Sequence, residues 1–163
     1  MNSSMQLTRE ADYGVRVMIA LATARGGRRS VLYELAKDTG SPESFLSKVL
    51  QKLVRVGLVA SLRGPAGGFE ISKLGLRASM RTVIEAIDGP MLLNTCLADV
   101  EICARSLRCP AHPVWAEAQK AILQVLDSAK IVDLAASYAP QSASPRVSLS
   151  TIRTAAFQVA RRQ

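Results

Sequence analysis

The sequence predicts a mainly α-helical protein with one small β-hairpin, followed by a long C-terminal helix. Three observations lead there. Hydrophobic residues make up 48% of the 163 positions but aromatic ones only 4%, so the core must be built from Leu, Val, Ile and Ala, a composition that favours helices over a β-sandwich. Apolar residues recur at helical spacing before and after two short alternating runs that flank a glycine-rich turn. Beyond Pro113 the apolar positions step by 3 and 4 alternately, the spacing of a helix-pairing seam.

The elements follow in order. Residues 10–24 form a helix, with Tyr13, Val17, Ala20, Leu21 and Ala24 on one face. Ser30 is expected to cap a short second helix with Leu32, Leu35 and Ala36 inward, ended by Gly40. Ser41-Pro42-Glu43 reads as a third helix start, with Ser41 as its cap. That helix buries Leu46, Val49, Leu50, Leu53 and Val56 and stops at Gly57. Residues 58–62 and 69–72 alternate as strands around the turn Arg63-Gly64-Pro65-Ala66-Gly67-Gly68. Ser79 caps a further helix with Met80, Val83, Ile84 and Ile87 inward, closed by Gly89-Pro90.

Residues 91–112 lack periodicity and hold all the cysteines. The long helix then carries Trp115, Ala118, Ile122, Val125, Ala129 and Val132 along its seam, and the pattern leaves open a break near Lys130. After Ala139 the chain is rich in Ser, Pro and Arg and reads as a flexible tail, with a helix over 151–160 conceivable on contact with an anion or partner. The start, MNSSMQLTREAD, has no apolar leader, and no apolar run reaches the length of a spanning helix, so a cytoplasmic protein without membrane contact is expected.

The formal net charge is +8, and its placement is more informative than its size. Between Leu46 and Arg81 stand seven Lys/Arg and one acid, Glu70; the last 25 residues hold four Arg and no acid. Helix, short helix, capped helix and hairpin is the order of a winged helix-turn-helix, which lays its capped helix in the DNA major groove. The face expected there presents Ser44, Ser47, Lys48, Gln51, Lys52 and Arg55. Hydroxyl and amide groups can read base edges, and Lys and Arg bind phosphate. Arg63 at the narrow hairpin tip suits the minor groove, and Gly64, Gly67 and Gly68 permit close backbone approach to the strand. The glycines form no nucleotide loop, because the Lys-Ser/Thr ending and the strand-to-helix setting are both missing. A solvated charged helix beside an ordinary hairpin would have no reason to concentrate base so strongly. No nucleophile motif or paired catalytic carboxylates are present, so an enzyme is not expected.

Cys96, Cys103, Cys109 and His112 give C-x6-C-x5-C-x2-H within one loop. Three is a poor count for a disulfide framework, and such a grouping fits an iron–sulfur cluster, a zinc ion or free thiols. A zinc or iron–sulfur electron carrier is the remote alternative.

Taken together, MQLTREADYGVRVMIALA at the start, FLSKVLQKLVRVGLV, RGPAGGF and the cysteine loop followed by HPVW resemble the Rrf-type winged-helix transcription regulators (IscR- and NsrR-like), over about residues 5–136. The resemblance implies a domain plan: a DNA-binding winged helix over 5–90, a cluster loop over 91–112, a dimerisation helix over 113–138 and a basic tail over 139–163. It also implies a homodimer on palindromic double-stranded DNA, joined through Trp115, Ala118, Ile122, Val125 and Ala129. The function implied is a repressor that responds to redox state, nitric oxide or iron–sulfur status; a cluster-free member acting through thiols or a partner protein is the alternative. Cys96, Cys103 and Cys109 match the family's cysteine ligands. His112 is placed as the fourth ligand of a 2Fe–2S cluster, which is favoured over a 4Fe–4S cluster completed by Asp12 from the other subunit. The chain departs from the pattern in its first cysteine gap, six rather than five, and in Ser47, which stands where IscR-like members have a glutamate used in site choice. The operator therefore does not carry over.

Overall fold

The computed structural model describes residues 7–24, 29–64, 67–98, Cys103, Arg105 and 108–138, so the basic tail lies outside the described residues. The order is α1 (Arg9–Thr23), α2 (Leu32–Thr39), α3 (Glu43–Arg55), β1 (Val59–Leu62), β2 (Gly68–Ile71), α4 (Lys73–Arg77), α5 (Met80–Asp88), α6 (His112–Ser128) and α7 (Ile131–Ser137). A 3-10 turn at Thr95–Leu97 lies in the cysteine loop.

Helix α1 starts at Thr8, whose hydroxyl accepts the Ala11 N–H at 3.1 Å. It buries Ala11, Gly14, Val15, Val17, Met18 and Leu21, a wider arc than one stripe, while Tyr13, Ala20 and Ala24 are only half-buried. The arc is wide because α2, α3, α5 and α7 all pack around this helix. At Gly14 a Cβ would meet the terminal methyl of Ile87, the one atom that would have to move.

Helices α2 and α3 both end as their glycines suggest. Gly40 (φ 66°) and Gly57 (φ 77°) take the left-handed conformation. Each turn is closed by a pair of bonds: Gly40 N–H to Lys37 O with Ser41 N–H to Ala36 O, and Gly57 N–H to Val54 O with Leu58 N–H to Leu53 O. Leu46, Val49, Leu50 and Leu53 of α3 are fully buried, each contributing about 1.5–3 kcal/mol relative to exposure.

Four expectations need correction. Ser30 does not cap α2: its backbone exchanges both bonds with Phe69, at 3.0 and 2.9 Å, adding a one-residue third strand to the hairpin, and Val31 takes the cap position. Ser41 does not cap α3: the helix begins at Glu43 with Pro42 in the cap position, so Ser41 stands one residue too early and its Oγ makes no cap bond, while its N–H closes α2. Val56 is exposed, since the chain turns out of the helix there and Leu58 fills the core instead. Residues 72–77 are not all strand and loop: Ser72 caps the short helix α4, accepting from Gly75 N–H at 2.9 Å while donating to Gly57 O at 2.7 Å.

The two strands pair antiparallel from Val59↔Ile71 to Leu62↔Gly68. Ser79 caps α5 as expected, accepting from Thr82 N–H. The C-terminal segment divides at Ala129-Lys130, where Met80 N–H donates to Ala129 O (2.8 Å) and Ile131 N–H to Ala78 O (3.0 Å). Ile131 is fully buried and α7 packs on α1 and α4, so α7 belongs to the N-terminal core. Among the described residues no helix is long and apolar enough to cross a membrane.

Candidate nucleic-acid interface and cysteine loop

The outward side of α3 is polar because its inward side is so fully apolar. Ser44, Lys48, Gln51 and Arg55 are exposed and Ser47 is half-buried. Lys48 and Arg55 make no ion pair among the described residues. The first turn of α3 leaves N–H groups free to meet an anion. One edge of the helix is held by Phe45, whose ring meets Tyr13 edge-on at 6.1 Å between centroids.

Lys52 is placed differently from the other bases of this helix. Its Nζ lies 2.5 Å from Glu10 Oε2 and 3.1 Å from Ile87 O, so it turns back to the protein. Arg81, counted in the basic block, is likewise consumed internally. Its guanidinium meets Asp127 at 2.9 Å and Glu85 at 3.1 Å, and Ser79 Oγ donates to Asp127 at 3.1 Å. The hydrogen bond to Asp127, and then that to Glu85, hold Arg81 above its ordinary range. The Arg81 bond holds the Asp127 carboxyl below the usual aspartate range, against the opposing effect of desolvation and with the Ser79 bond helping.

At the hairpin tip Arg63 and Gly64 are exposed. The glycines there have internal reasons that the sequence argument missed. Gly67 N–H closes the turn on Gly64 O at 2.8 Å, and a Cβ at Gly67 would sit 2.6 Å from Leu62 O. Gly68, at φ 154°, backs onto the Ser30 strand, with Ser30 O 2.9 Å from where a Cβ would be.

In the cysteine loop Cys96, Cys103 and Cys109 are half-buried, and none of them is in a disulfide. His112 opens α6, and its Nε2 lies 3.3 Å from the carbonyl oxygen of Cys96, which brings the two ends of the motif together. Among the described residues no three His, Cys, Asp or Glu side chains converge as a metal site. Asp12 lies exposed on α1, paired with Arg16 at 2.8 Å. The loop is tied to its neighbours through Met91 N–H to Glu85 (3.4 Å) and Leu93 N–H to the Gln119 side-chain oxygen (3.0 Å). Sequence reading missed Glu10, Gln119 and Asp127; no local pattern marks a partner more than 20 residues away.

Helix α6 has 17 residues and none is buried. Its seam is open: Trp115, Ile122 and Val125 are 42%, 36% and 67% exposed, and Ala118 is half-buried. Ala129, the last seam position of the helix, sits at the break into α7.

Residues 7–137 match the Rrf2 family model, described as an iron-dependent transcriptional regulator. An HTH-type transcriptional regulator of Mycobacterium tuberculosis is 30% identical over 137 residues, covering 84% of this chain and 85% of that protein. The HTH-type transcriptional regulator IscR of Vibrio vulnificus is 29% identical over 130 residues, 80% of this chain and 77% of its own. Among solved structures, CymR, the global cysteine regulator of B. subtilis, superposes with a TM-score of 0.67 at 28% identity, over 82% of this chain and 98% of that one.

Proposed function

The chain belongs to the Rrf2 family of DNA-binding transcriptional regulators, a family of regulators rather than enzymes, and from that premise we propose an iron–sulfur-dependent homodimer that represses from a palindromic operator. The observation that carries the sensing part is the donor set. Three half-buried cysteines and the chain's one imidazole share a single loop, with His112 against Cys96. That set has the soft-ligand chemistry an iron–sulfur cluster requires. Cys96, Cys103, Cys109 and His112 would hold it, a 2Fe–2S cluster favoured over a 4Fe–4S cluster that takes Asp12 of the partner subunit, and when bound it would supply a redox-active centre open to oxygen and nitric oxide.

The chain's own residues link that loop to the DNA-binding head. His112 and Gln119 hold the loop to α6, and Glu85 holds it to α5. Arg81 and Asp127 then lock α6 to α5. The positive end of the α6 dipole faces the loop and favours an anionic group there. The open seam of α6 supports dimerisation, since a helix of this length without buried residues is not stable on its own. Two heads so joined would present Ser44, Ser47, Lys48, Gln51 and Arg55 to successive major grooves and Arg63, Gly64, Gly67 and Gly68 to the flanking strands.

Anaerobic purification tests the reading. The expected result is a brown protein absorbing near 400 nm with roughly 2 or 4 irons per chain, whose affinity for its operator changes on removal of the cluster. Cys103→Ala should lower the iron content. A second reading, a cluster-free member sensing through its thiols or a partner protein, is favoured by the likeness to CymR, a structure described as a global cysteine regulator. It predicts a colourless, iron-free anaerobic protein with DNA binding unchanged by Cys103→Ala in the reduced state.

A further inference from the structure

The recognition helix carries one cation that faces the protein, and its surroundings assign it a task. On a helical projection Phe45 and Lys52, seven residues apart, fall on the same edge of α3, between the buried face and the outward one. Both are attached there to α1: the Phe45 ring to Tyr13 and the Lys52 ammonium to Glu10. Lys52 also donates to the carbonyl oxygen of Ile87 near the end of α5. The same corner is closed by Thr8, the α1 cap, whose hydroxyl donates to Asp88 at 2.6 Å. Buried leucines hold α3 in place but are nondirectional. Two directional contacts on one edge, two turns apart, fix its rotation about its own axis.

We propose that Lys52 is a positioning residue for DNA recognition. With Glu10 and the Ile87 carbonyl it sets the roll of α3, and so the direction of Ser47, Lys48 and Gln51, without itself meeting phosphate. The inference rests on the DNA-facing placement of α3 proposed above. It has a consequence that simple electrostatics reverses. Removing the acid Glu10 from a protein that binds a polyanion should tighten binding if charge alone mattered. If Glu10 orients the recognition helix through Lys52, removing it weakens binding.

The test uses the full-length dimer and a duplex selected by the wild-type protein from a random-sequence pool, with affinity followed by fluorescence anisotropy across a salt series. Lys52→Met, which keeps the aliphatic stem, is expected to bind about three- to fivefold more weakly, the ceiling that a part-exposed ion pair sets. Its salt slope should equal that of wild type. Lys52→Arg should recover most of the affinity, and Glu10→Ala should lose about as much as Lys52→Met. Lys48→Met, the control on the outward face, should lower the slope by about 0.9. The proposal is overturned if Lys52→Met lowers the slope as Lys48→Met does, or if Glu10→Ala binds more tightly than wild type. Should Glu10→Ala reduce the folded fraction seen by circular dichroism, Glu10→Gln carries the same comparison. A Lys48→Met variant with unchanged affinity and slope would instead remove the DNA-facing placement of α3, a failure separate from that of the Lys52 assignment.

Discussion

Replacing Gly75 with alanine should damage this protein, although alanine is the better helix former. Gly75 is buried in α4, and a Cβ there would fall inside van der Waals contact of the Leu58 carbonyl oxygen. Ile71 Cγ1 and Met18 Cε would each lie at 3.0 Å. The obstacle is backbone, and that carbonyl already accepts the Ser72 N–H at 3.1 Å, so relief requires the base of the hairpin to move. Overpacking of this kind costs about 1–3 kcal/mol or more, against a helix gain of at most about 1 kcal/mol. The expected net loss is about 2 kcal/mol, a fall of roughly 4–8 °C in Tm for a chain of this size. Gly14→Ala is the internal comparison. There the overlap is with the terminal methyl of Ile87, and the next atoms, Ile87 Cγ1 and Val49 Cγ1, are at 3.5 and 3.6 Å. Turning one side chain off its rotamer costs about 0.5–1.5 kcal/mol, nearly offset by the helix gain, so its stability should stay within about 1 kcal/mol of wild type. Urea unfolding at a fixed protein concentration measures both. Equal stabilities, or Gly14→Ala as the weaker of the two, would refute the argument.

Three other outcomes are expected. Arg63→Ala should weaken operator binding by roughly tenfold; a gel shift equal to wild type would place the hairpin tip outside the groove. Ile122→Asp puts a charge into the open seam of α6 and should give a monomer by light scattering, with the dimer mass as the contrary result. Asp127→Asn should destabilise at neutral pH, because the folded carboxyl is held below its ordinary range by Arg81. Its stabilising contribution is present above the unfolded-state value and is lost as pH falls through the lower folded value, so the gap between wild type and variant should close on acidification. A gap that persists at the acid end would mean that Asp127 acts through packing alone.

The helical frame was legible because its signals are local. The Leu46, Val49, Leu50, Leu53 stripe, the Ser79 cap and the stops at Gly40 and Gly57 each depend on residues within a turn or two. What escaped was nonlocal or too short to repeat. A one-residue strand at Ser30 has no alternation to detect. Ser41 satisfies the template of an N-cap, yet the helix starts one residue later, with Pro42 in the cap position. The five residues of α4 hold too little periodicity to separate them from the strand before them. At the candidate interface, residue type grouped Lys52 with the exposed Lys48, Gln51 and Arg55 and could not show that it pairs inward, because its partner lies 42 residues away. The cysteine spacing put the candidate donors in one loop, while their relative placement depends on how the loop settles on α6.

The break at Ala129-Lys130 has a practical corollary. Since Ile131 and Ala135 are buried and Ile131 is an integral part of the main hydrophobic core, the polypeptide leaves the N-terminal body along α6 and comes home to the same body through α7. A fragment ending at Gly89 would therefore be missing a piece of its own interior and would expose the patch that Ile131 covers. Efforts to isolate an autonomous head should keep α7 and shorten the excursion between, because this returning helix is the one that seals the first.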